Sequence, residues 1–220
     1  MKIITSVNWL FFDAGGVLLD ETRHEEQRIN LILKAVKNYK PEITRDDILA
    51  ARFQASAVLG GLTENIIKVF LTDNDQIKSA LESIRKNWDN DQSSFVKPDA
   101  KEVVEKLAAE YNLGLLANQP IITKEKLEKA GVLQYFKFQG VSEEFNLRKP
   151  DPEFFKAIFK ATGADPKKSA IIDDNIERGL TPAKKLGMIT VWFKLEARNV
   201  PAGIIDYTVE SLDDLLEILI

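Results

Sequence analysis

Residues 11–20 read FFDAGGVLLD, and this stretch decides the fold because a strand, a carboxylate and a turn follow one another directly. The apolar run 7–12 is rich in β formers and has the length of a strand that is buried on both faces. It ends at Asp13, and Gly15 and Gly16 then allow a tight turn. A solvated turn acid is the ordinary interpretation of such an aspartate. A catalytic carboxylate at a strand end is the alternative.

Composition narrows the class of protein. The chain has 220 residues, a net charge of −4, one histidine and no cysteine. Disulfides, thiolate zinc sites and a cysteine nucleophile are therefore excluded. The charge offers no basic surface to nucleic acid or anionic lipid, and no apolar run approaches the roughly 20 residues of a membrane span. The N-terminus lacks the long apolar region of a signal peptide. We expect a cytoplasmic protein, monomeric or homodimeric, without a nucleic-acid or membrane partner.

Strand-like and helix-like segments alternate in the second half of the chain. The apolar runs 113–117, 169–173 and 189–193 predict strands, and amphipathic segments between them predict helices. One of these helices is expected to begin after Thr123 as its N-cap. Weaker strand signals lie at 138–141 and 206–209. The alternation predicts a parallel α/β sheet.

A segment of different texture separates the first strand from this alternating region. Its apolar residues recur at helical spacing in four runs: 28–39, 46–59, 63–71 and 76–88. We therefore predict a Rossmann-like α/β core (1–18 and 96–220), with a parallel sheet and helices on both faces, and an inserted all-helical cap (19–95). Ligands of open α/β sheets bind beyond the carboxyl ends of the strands, where such an insert would act as a cap.

The same rule gathers polar residues at the strand ends. They are Asp13, Ala117 with Asn118, Asp173 with Asp174, and Lys149 from a loop. Carboxylates that converge resist joint ionisation, and hard oxygen ligands suit Mg²⁺. Lys149 would supply positive charge toward an anionic substrate. An aspartate nucleophile beside Mg²⁺ and a lysine is a plausible arrangement for phosphoryl transfer.

These residues lie in four segments that resemble the motifs of the haloacid dehalogenase-like (HAD) hydrolase superfamily. The segments are FFDAGGVLLD, LGLLANQ, RKPDPEFF, and AIIDDN followed by AKKLGMITVWF. Each is weak alone, but all four occur in order along the chain, and the position of the insert resembles the helical-cap (C1) subgroup. The resemblance implies that Asp13 attacks a small phosphorylated metabolite to form an aspartyl-phosphate, and that Lys149 balances charge.

The resemblance also implies the remaining roles. By position, the substrate- and phosphate-binding residues are Ala117 and Asn118, and the Mg²⁺ ligands are Asp13, the carbonyl of Gly15, Asp174 and Asp173. Gly15, Ala117 and Gly179 depart from the usual pattern, which has a second aspartate, a hydroxyl residue and a further acid there. Missing acid–base help costs about 10²–10⁴-fold in rate. A missing transition-state donor costs about 10²–10³-fold.

Two alternatives stay open. The first is a metal-independent 2-haloacid dehalogenase-like hydrolase, since those relatives also lack the second aspartate. The pair Asp173 and Asp174 argues against it, because without a metal these acids would stand uncompensated beside Asp13. The second alternative is a degenerate family member that binds a phosphorylated ligand or a protein partner without turnover, and the three departures motivate it.

Overall fold

The computed structural model describes residues 4, 6–88, 94–195, 197 and 199–220. The chain forms two compact units. We call Met1–Asp20 with Phe95–Ile220 the α/β unit, and Glu21–Ser94 the helical unit.

The strands belong to two sheets in the α/β unit. They are β1 (Trp9–Phe12), β2 (Leu19–Asp20), β3 (Phe95–Val96), β4 (Asn112–Ala117), β5 (Phe136–Val141), β6 (Ser169–Asp173), β7 (Ile189–Phe193) and β8 (Tyr207–Val209). The six-stranded sheet has the order β5-β4-β1-β6-β7-β8, and every neighbouring pair is parallel. Strand β1 therefore lies in the middle, between β4 and β6, so its carboxyl end opens at the centre of the sheet edge.

The helices divide between the two units. The helical unit contains α1 (Thr22–Lys37), α2 (Arg45–Ser56), α3 (Leu62–Phe70) and α4 (Asn74–Asn87), and the α/β unit contains α5 (Ala100–Ala108), α6 (Ile122–Lys129), α7 (Ser142–Phe145), α8 (Pro152–Thr162), α9 (Thr181–Lys185) and α10 (Asp213–Leu219). Helices α1–α4 correspond to the four runs predicted from the sequence, and their buried faces form a core of their own. Within the described residues, we find no helix with the length and apolar character that crossing a bilayer requires.

The alternation of side chains along β1 explains why helices cover both faces of the sheet. Leu10, Phe11 and Phe12 are all fully buried. Leu10 and Phe12 pack in one apolar cluster with residues of α5, α6 and α10. Phe11 packs in another cluster with residues of α8 and α9. Successive side chains of a strand point to opposite faces, so a strand buried throughout needs a layer on each side.

Two local expectations differ from the structure. The expected boundaries, after residue 18 and before residue 96, leave out residues 19–20 and 95, which belong to the α/β unit because β2 and β3 pair antiparallel there. The expectation that Thr123 is an N-cap is wrong. Helix α6 begins at Ile122, and the hydroxyl of Thr123 instead donates to the side chain of Gln119 at 3.2 Å.

The side chain of Tyr111 makes a buried hydrogen bond to the C-terminal helix. The Tyr111 hydroxyl donates to the carbonyl of Leu219 at 2.6 Å. Replacing Tyr111 by Phe leaves this carbonyl without its donor, so we expect Tyr111→Phe to lower the free energy of unfolding by about 1–2 kcal/mol in urea titrations. Tyr39→Phe, at a half-exposed tyrosine, serves as control with a cost below about 0.5 kcal/mol. Equal costs for the two variants would contradict the role of this bond.

Candidate active site

The carboxyl end of β1 places Asp13 at the centre of the sheet edge. The Asp13 amide donates to the carbonyl of Ile172 at 2.9 Å, which continues the pairing of β1 with β6 by one residue. Asp13 therefore lies beside the end of β6, where Asp173 follows Ile172. The amide of Ala14 donates to Asp13 Oδ1 at 2.7 Å. One carboxylate oxygen is thus held by the main chain, and the side chain stays 13% exposed.

Lys149 connects the ends of β1 and β6. Its side chain is only 1% exposed, and its Nζ lies 3.1 Å from Asp13 Oδ2 and 2.6 Å from Asp173 Oδ2. Burial disfavours the charged ammonium, but the charges of Asp13 and Asp173 outweigh it, so the pKa of Lys149 is raised above its ordinary value. Lys149 is therefore a fixed cation between two carboxylates.

Asn118 holds the loop that carries Lys149. The Asn118 Nδ2 donates to the Lys149 carbonyl, and the Lys149 amide donates to Asn118 Oδ1, both at 2.8 Å. This reciprocal pair joins the end of β4 to the loop before α8. The contact gives Asn118 a positioning role, and phosphate binding by this residue stays a prediction.

Ala117 closes strand β4 beside Asn118. It is fully buried and belongs to the same apolar cluster as Phe12 and Val141. Its methyl group packs in the core. Substrate binding by Ala117 stays a prediction.

Asp173 is the deepest acid of the site. It is fully buried, its Oδ2 accepts from Lys149, and its Oδ1 accepts from the Asn175 amide at 2.8 Å. Burial raises the pKa of Asp173 to about 6; Lys149 opposes this rise, and the nearby charge of Asp13 adds to it. Both oxygens are engaged by the protein, which makes Asp173 a support for Lys149.

Three carboxylates converge at this edge. Asp13, Asp173 and Asp174 each offer one oxygen, and the three oxygens lie within 4.8 Å of one another. The buried ammonium of Lys149 lies between Asp13 and Asp173, and Lys97 lies near Asp174, so the three carboxylates outnumber these two ammonium groups. Oxygen donors with such an excess fit Mg²⁺, a hard divalent cation. The helical turn that follows Asp174 is capped by Asn175, whose Oδ1 accepts from the Arg178 amide.

Two glycines make room for the paired acids. Gly179 lies in the π-helical turn Ile176–Leu180, and a Cβ there would stand 2.1 Å from Asp173 Oδ2. Gly16 has φ +72°, and a Cβ there would stand 2.6 Å from Asp174 Oδ2. Both distances are far below van der Waals contact. From the family resemblance, Gly179 stands where a further acid is usual. The structure shows that a side chain at this position would occupy the place of the Asp173 carboxylate.

Two polar residues of this region were not predicted from the sequence. Asn175 caps the turn after β6 and binds Asp173 through its amide. Lys97 donates to the carbonyl of Gly16 at 2.6 Å. Asn175 directly follows the aspartate pair, and a polar residue at that place is the signal that could have identified it. No local sequence pattern distinguishes Lys97 from a solvated lysine.

The space that Gly179 leaves for Asp173 can be tested by a double-mutant cycle. We expect Gly179→Ala to destabilise the protein by about 1–3 kcal/mol, because the new methyl must displace a buried carboxylate. In an Asp173→Ala background the same change meets no carboxylate, and its cost should fall below about 1 kcal/mol. Urea unfolding of the four proteins gives the coupling. Additive costs would contradict this account of Gly179.

Known proteins of similar sequence or structure share this architecture. A glyceraldehyde 3-phosphate phosphatase from Methanocaldococcus jannaschii is 29% identical over 204 residues, which cover 88% of this chain and 80% of that protein. Among solved structures, a predicted phosphoglycolate phosphatase from Haemophilus somnus 129pt superposes with a TM-score of 0.67 at 19% identity, over 97% of this chain and 98% of the other.

A dehalogenase with an intermediate complex superposes almost as well. Its TM-score is 0.63 at 20% identity, over 98% of each chain. The fold alone therefore does not separate the two chemistries. Residues 7–187 match the family model described as haloacid dehalogenase-like hydrolase. Since this match spans most of the 220 residues, the chain belongs to the haloacid dehalogenase-like hydrolase family.

Proposed function

We propose that this chain is a Mg²⁺-dependent phosphatase that hydrolyses a small phosphorylated metabolite through an aspartyl-phosphate on Asp13. One observation carries the proposal. A partly exposed aspartate lies at the centre of the sheet edge with a buried lysine 3.1 Å from its carboxylate and two further acids beside it. The phosphatase name of the relative from Methanocaldococcus jannaschii supports the same chemistry.

In the proposed reaction Oδ2 of Asp13 attacks phosphorus. The Ala14 amide holds Oδ1 at 2.7 Å, so Oδ2 is the oxygen aimed at the substrate, beside Lys149 Nζ. The bond from phosphorus to the ester oxygen breaks, and the alcohol leaves with a proton. Water then attacks the phosphoryl group, releases inorganic phosphate and restores the Asp13 carboxylate. The ammonium of Lys149 lies beside the attacking oxygen and balances charge on the phosphoryl oxygens.

The metal would be held by oxygen donors of the sheet edge. We assign Asp13, Asp174 and the carbonyl of Gly15 as ligands, with Asp173 behind them in contact with Lys149. When bound, Mg²⁺ supplies further positive charge for the phosphoryl oxygens. The acid trio, with its oxygens within 4.8 Å of one another, supports this assignment.

The proton for the leaving group comes from water in this proposal. Gly15 stands where a helper acid is expected and has no side chain to donate. A missing general acid lowers rates by about 10²–10⁴-fold, so slow turnover is expected. Metabolites with acidic leaving alcohols depend least on that proton and should be the better substrates.

The helical unit is assigned the role of substrate selection. It is inserted between β2 and β3, shortly after the loop that follows Asp13. This topology supports membership of the helical-cap (C1) subgroup, in which an inserted bundle serves as cap. The cytoplasmic location and the monomeric or homodimeric state stay predictions from the sequence.

A metal-independent dehalogenase is the second candidate, and Lys149 is the observation in its favour. Its ammonium bridges Asp13 and Asp173, so the charge of these two acids is partly offset without a metal, which weakens the sequence argument against this alternative. Asp174 brings a third carboxylate oxygen within 4.8 Å of the other two. Three converging oxygen donors suit a hard divalent cation, and the phosphatase name of the relative agrees with that chemistry, so we favour the phosphatase.

The proposal is tested by phosphate release from p-nitrophenyl phosphate and a panel of metabolites. We expect turnover that EDTA abolishes and Mg²⁺ restores, and Asp13→Asn should lower it at least about 10³-fold because an amide is no nucleophile here. Asp213→Asn, at an exposed acid of α10, should retain the wild-type rate.

Three outcomes are distinguishable. EDTA-sensitive turnover that Asp13→Asn removes supports the phosphatase. Halide release from 2-chloropropionate that is insensitive to EDTA would instead support the dehalogenase. Binding of phosphorylated compounds with no turnover above the Asp13→Asn level would contradict both enzymes and leave the degenerate binding protein.

A further inference from the structure

Lys97 lies at a junction of the α/β unit that no part of the reaction above uses. It directly follows β3 and precedes α5. Its side-chain Nζ donates to the carbonyl of Gly16 at 2.6 Å, and its main-chain amide donates to the carbonyl of Leu18 at 2.9 Å. Both ends of one residue are therefore bonded to the loop that leaves Asp13.

The ammonium of Lys97 is also fixed from a second side. Its Nζ lies 4.1 Å from the centre of the Phe193 ring, a cation–π geometry. Half of the residue is buried, and this burial lowers the pKa of Lys97, against the attraction of Asp99, Asp174 and Asp20. The ammonium of a solvated lysine would not lose hydration in this way. The contacts therefore indicate a side chain held for a structural purpose at the site.

The loop that Lys97 contacts contains two adjacent glycines and is therefore intrinsically flexible. Gly15 and Gly16 are adjacent, and glycine loses more conformational freedom on folding than any other residue. Gly16 already has φ +72° and lies against the carboxylate of Asp174. The amides of Leu18 and Leu19 both donate to the carbonyl of Ala14, at 2.9 and 2.8 Å, which closes the turn at its base. The tip of the turn is held by Lys97.

We propose that Lys97 is a positioning residue that holds the Gly15–Gly16 turn, and with it the Gly15 carbonyl, in the geometry that accepts Mg²⁺. The proposal rests on the proposed function, because it presupposes the metal site. The carbonyls of Gly15 and Gly16 belong to consecutive peptide groups, so fixing one restricts the orientation of the other. Lys97 contacts neither the phosphoryl group nor the metal in this account and acts only through the turn.

A competing effect of the same side chain predicts the opposite sign. Lys97 is a cation near Asp174, and a cation near metal ligands repels Mg²⁺. Removing it would then tighten metal binding. If Lys97 mainly holds the turn, removing it weakens metal binding, since partners of metal ligands are typically worth about 10–100-fold in metal affinity. The direction of the change therefore separates the two roles.

The test is the affinity for Mg²⁺ alone, measured by calorimetry on the full chain without substrate. Lys97→Met keeps the apolar stem over Phe193 and removes the donor, and we expect its Mg²⁺ dissociation constant to rise about 10–100-fold. Lys97→Arg retains a donor and a charge and should recover most of the affinity. Lys97→Gln, too short to reach Gly16, should behave as Lys97→Met and repeats the test with a polar side chain.

The matched control is Lys137→Met. Lys137 is exposed on β5 and donates to a neutral oxygen, Oδ1 of Asn112, as Lys97 does to Gly16. This variant should bind Mg²⁺ as the wild type does. Circular dichroism and thermal melts establish that each variant is folded, so that a loss of metal affinity is not a loss of structure.

Two outcomes would contradict the proposed role of Lys97. Unchanged or tighter Mg²⁺ binding by folded Lys97→Met and Lys97→Gln would overturn the proposal while leaving the proposed function intact. Wild-type protein that binds no Mg²⁺ would overturn the proposed metal site and this inference with it.

Discussion

The buried ammonium of Lys149 is the interaction on which the site depends. Desolvating a lysine is costly, and here the cost is offset by Asp173 at 2.6 Å and Asp13 at 3.1 Å. Removing one partner of a buried ion pair typically costs about 3–5 kcal/mol, so neither acid can be lost cheaply. Asn118 holds the main chain of Lys149 at both its amide and carbonyl. Two strand ends are thus bound to the ammonium of Lys149, and a third is bound to the main chain of the same residue.

This arrangement changes how the departures from the family pattern are understood. The position of Gly179 is a requirement of packing, because the carboxylate of Asp173 fills the place of any side chain there. Gly15 and Ala117 are different, since at these positions the family pattern has an acid and a hydroxyl residue and this chain has neither. The described site therefore combines the charges of Asp13, Asp173 and Lys149 with side chains at these two positions that can neither donate a proton nor offer a hydroxyl.

The sequence predicted the fold and the central residues well, for a physical reason. A buried strand with residues of both faces apolar, as in β1, has few alternatives to a covered parallel sheet, and strand ends then determine which residues meet. Asp13 and Asp173 follow from that rule, whereas Lys149 reaches the same edge from the loop before α8. The role of Gly179 and of Lys97 depends on three-dimensional packing between segments distant in sequence. The contact of Lys97 with Gly16 joins residues 81 positions apart, and no local pattern encodes it.

The central claim is that Asp13 forms a covalent intermediate. The direct measurement is mass spectrometry of protein quenched in acid during turnover of p-nitrophenyl phosphate with Mg²⁺, followed by peptide mapping. The account predicts one added phosphoryl group on the peptide that contains Asp13, and none in Asp13→Asn. A phosphoryl group found on another residue would contradict this account. So would turnover in which acid quenching yields no phosphorylated peptide.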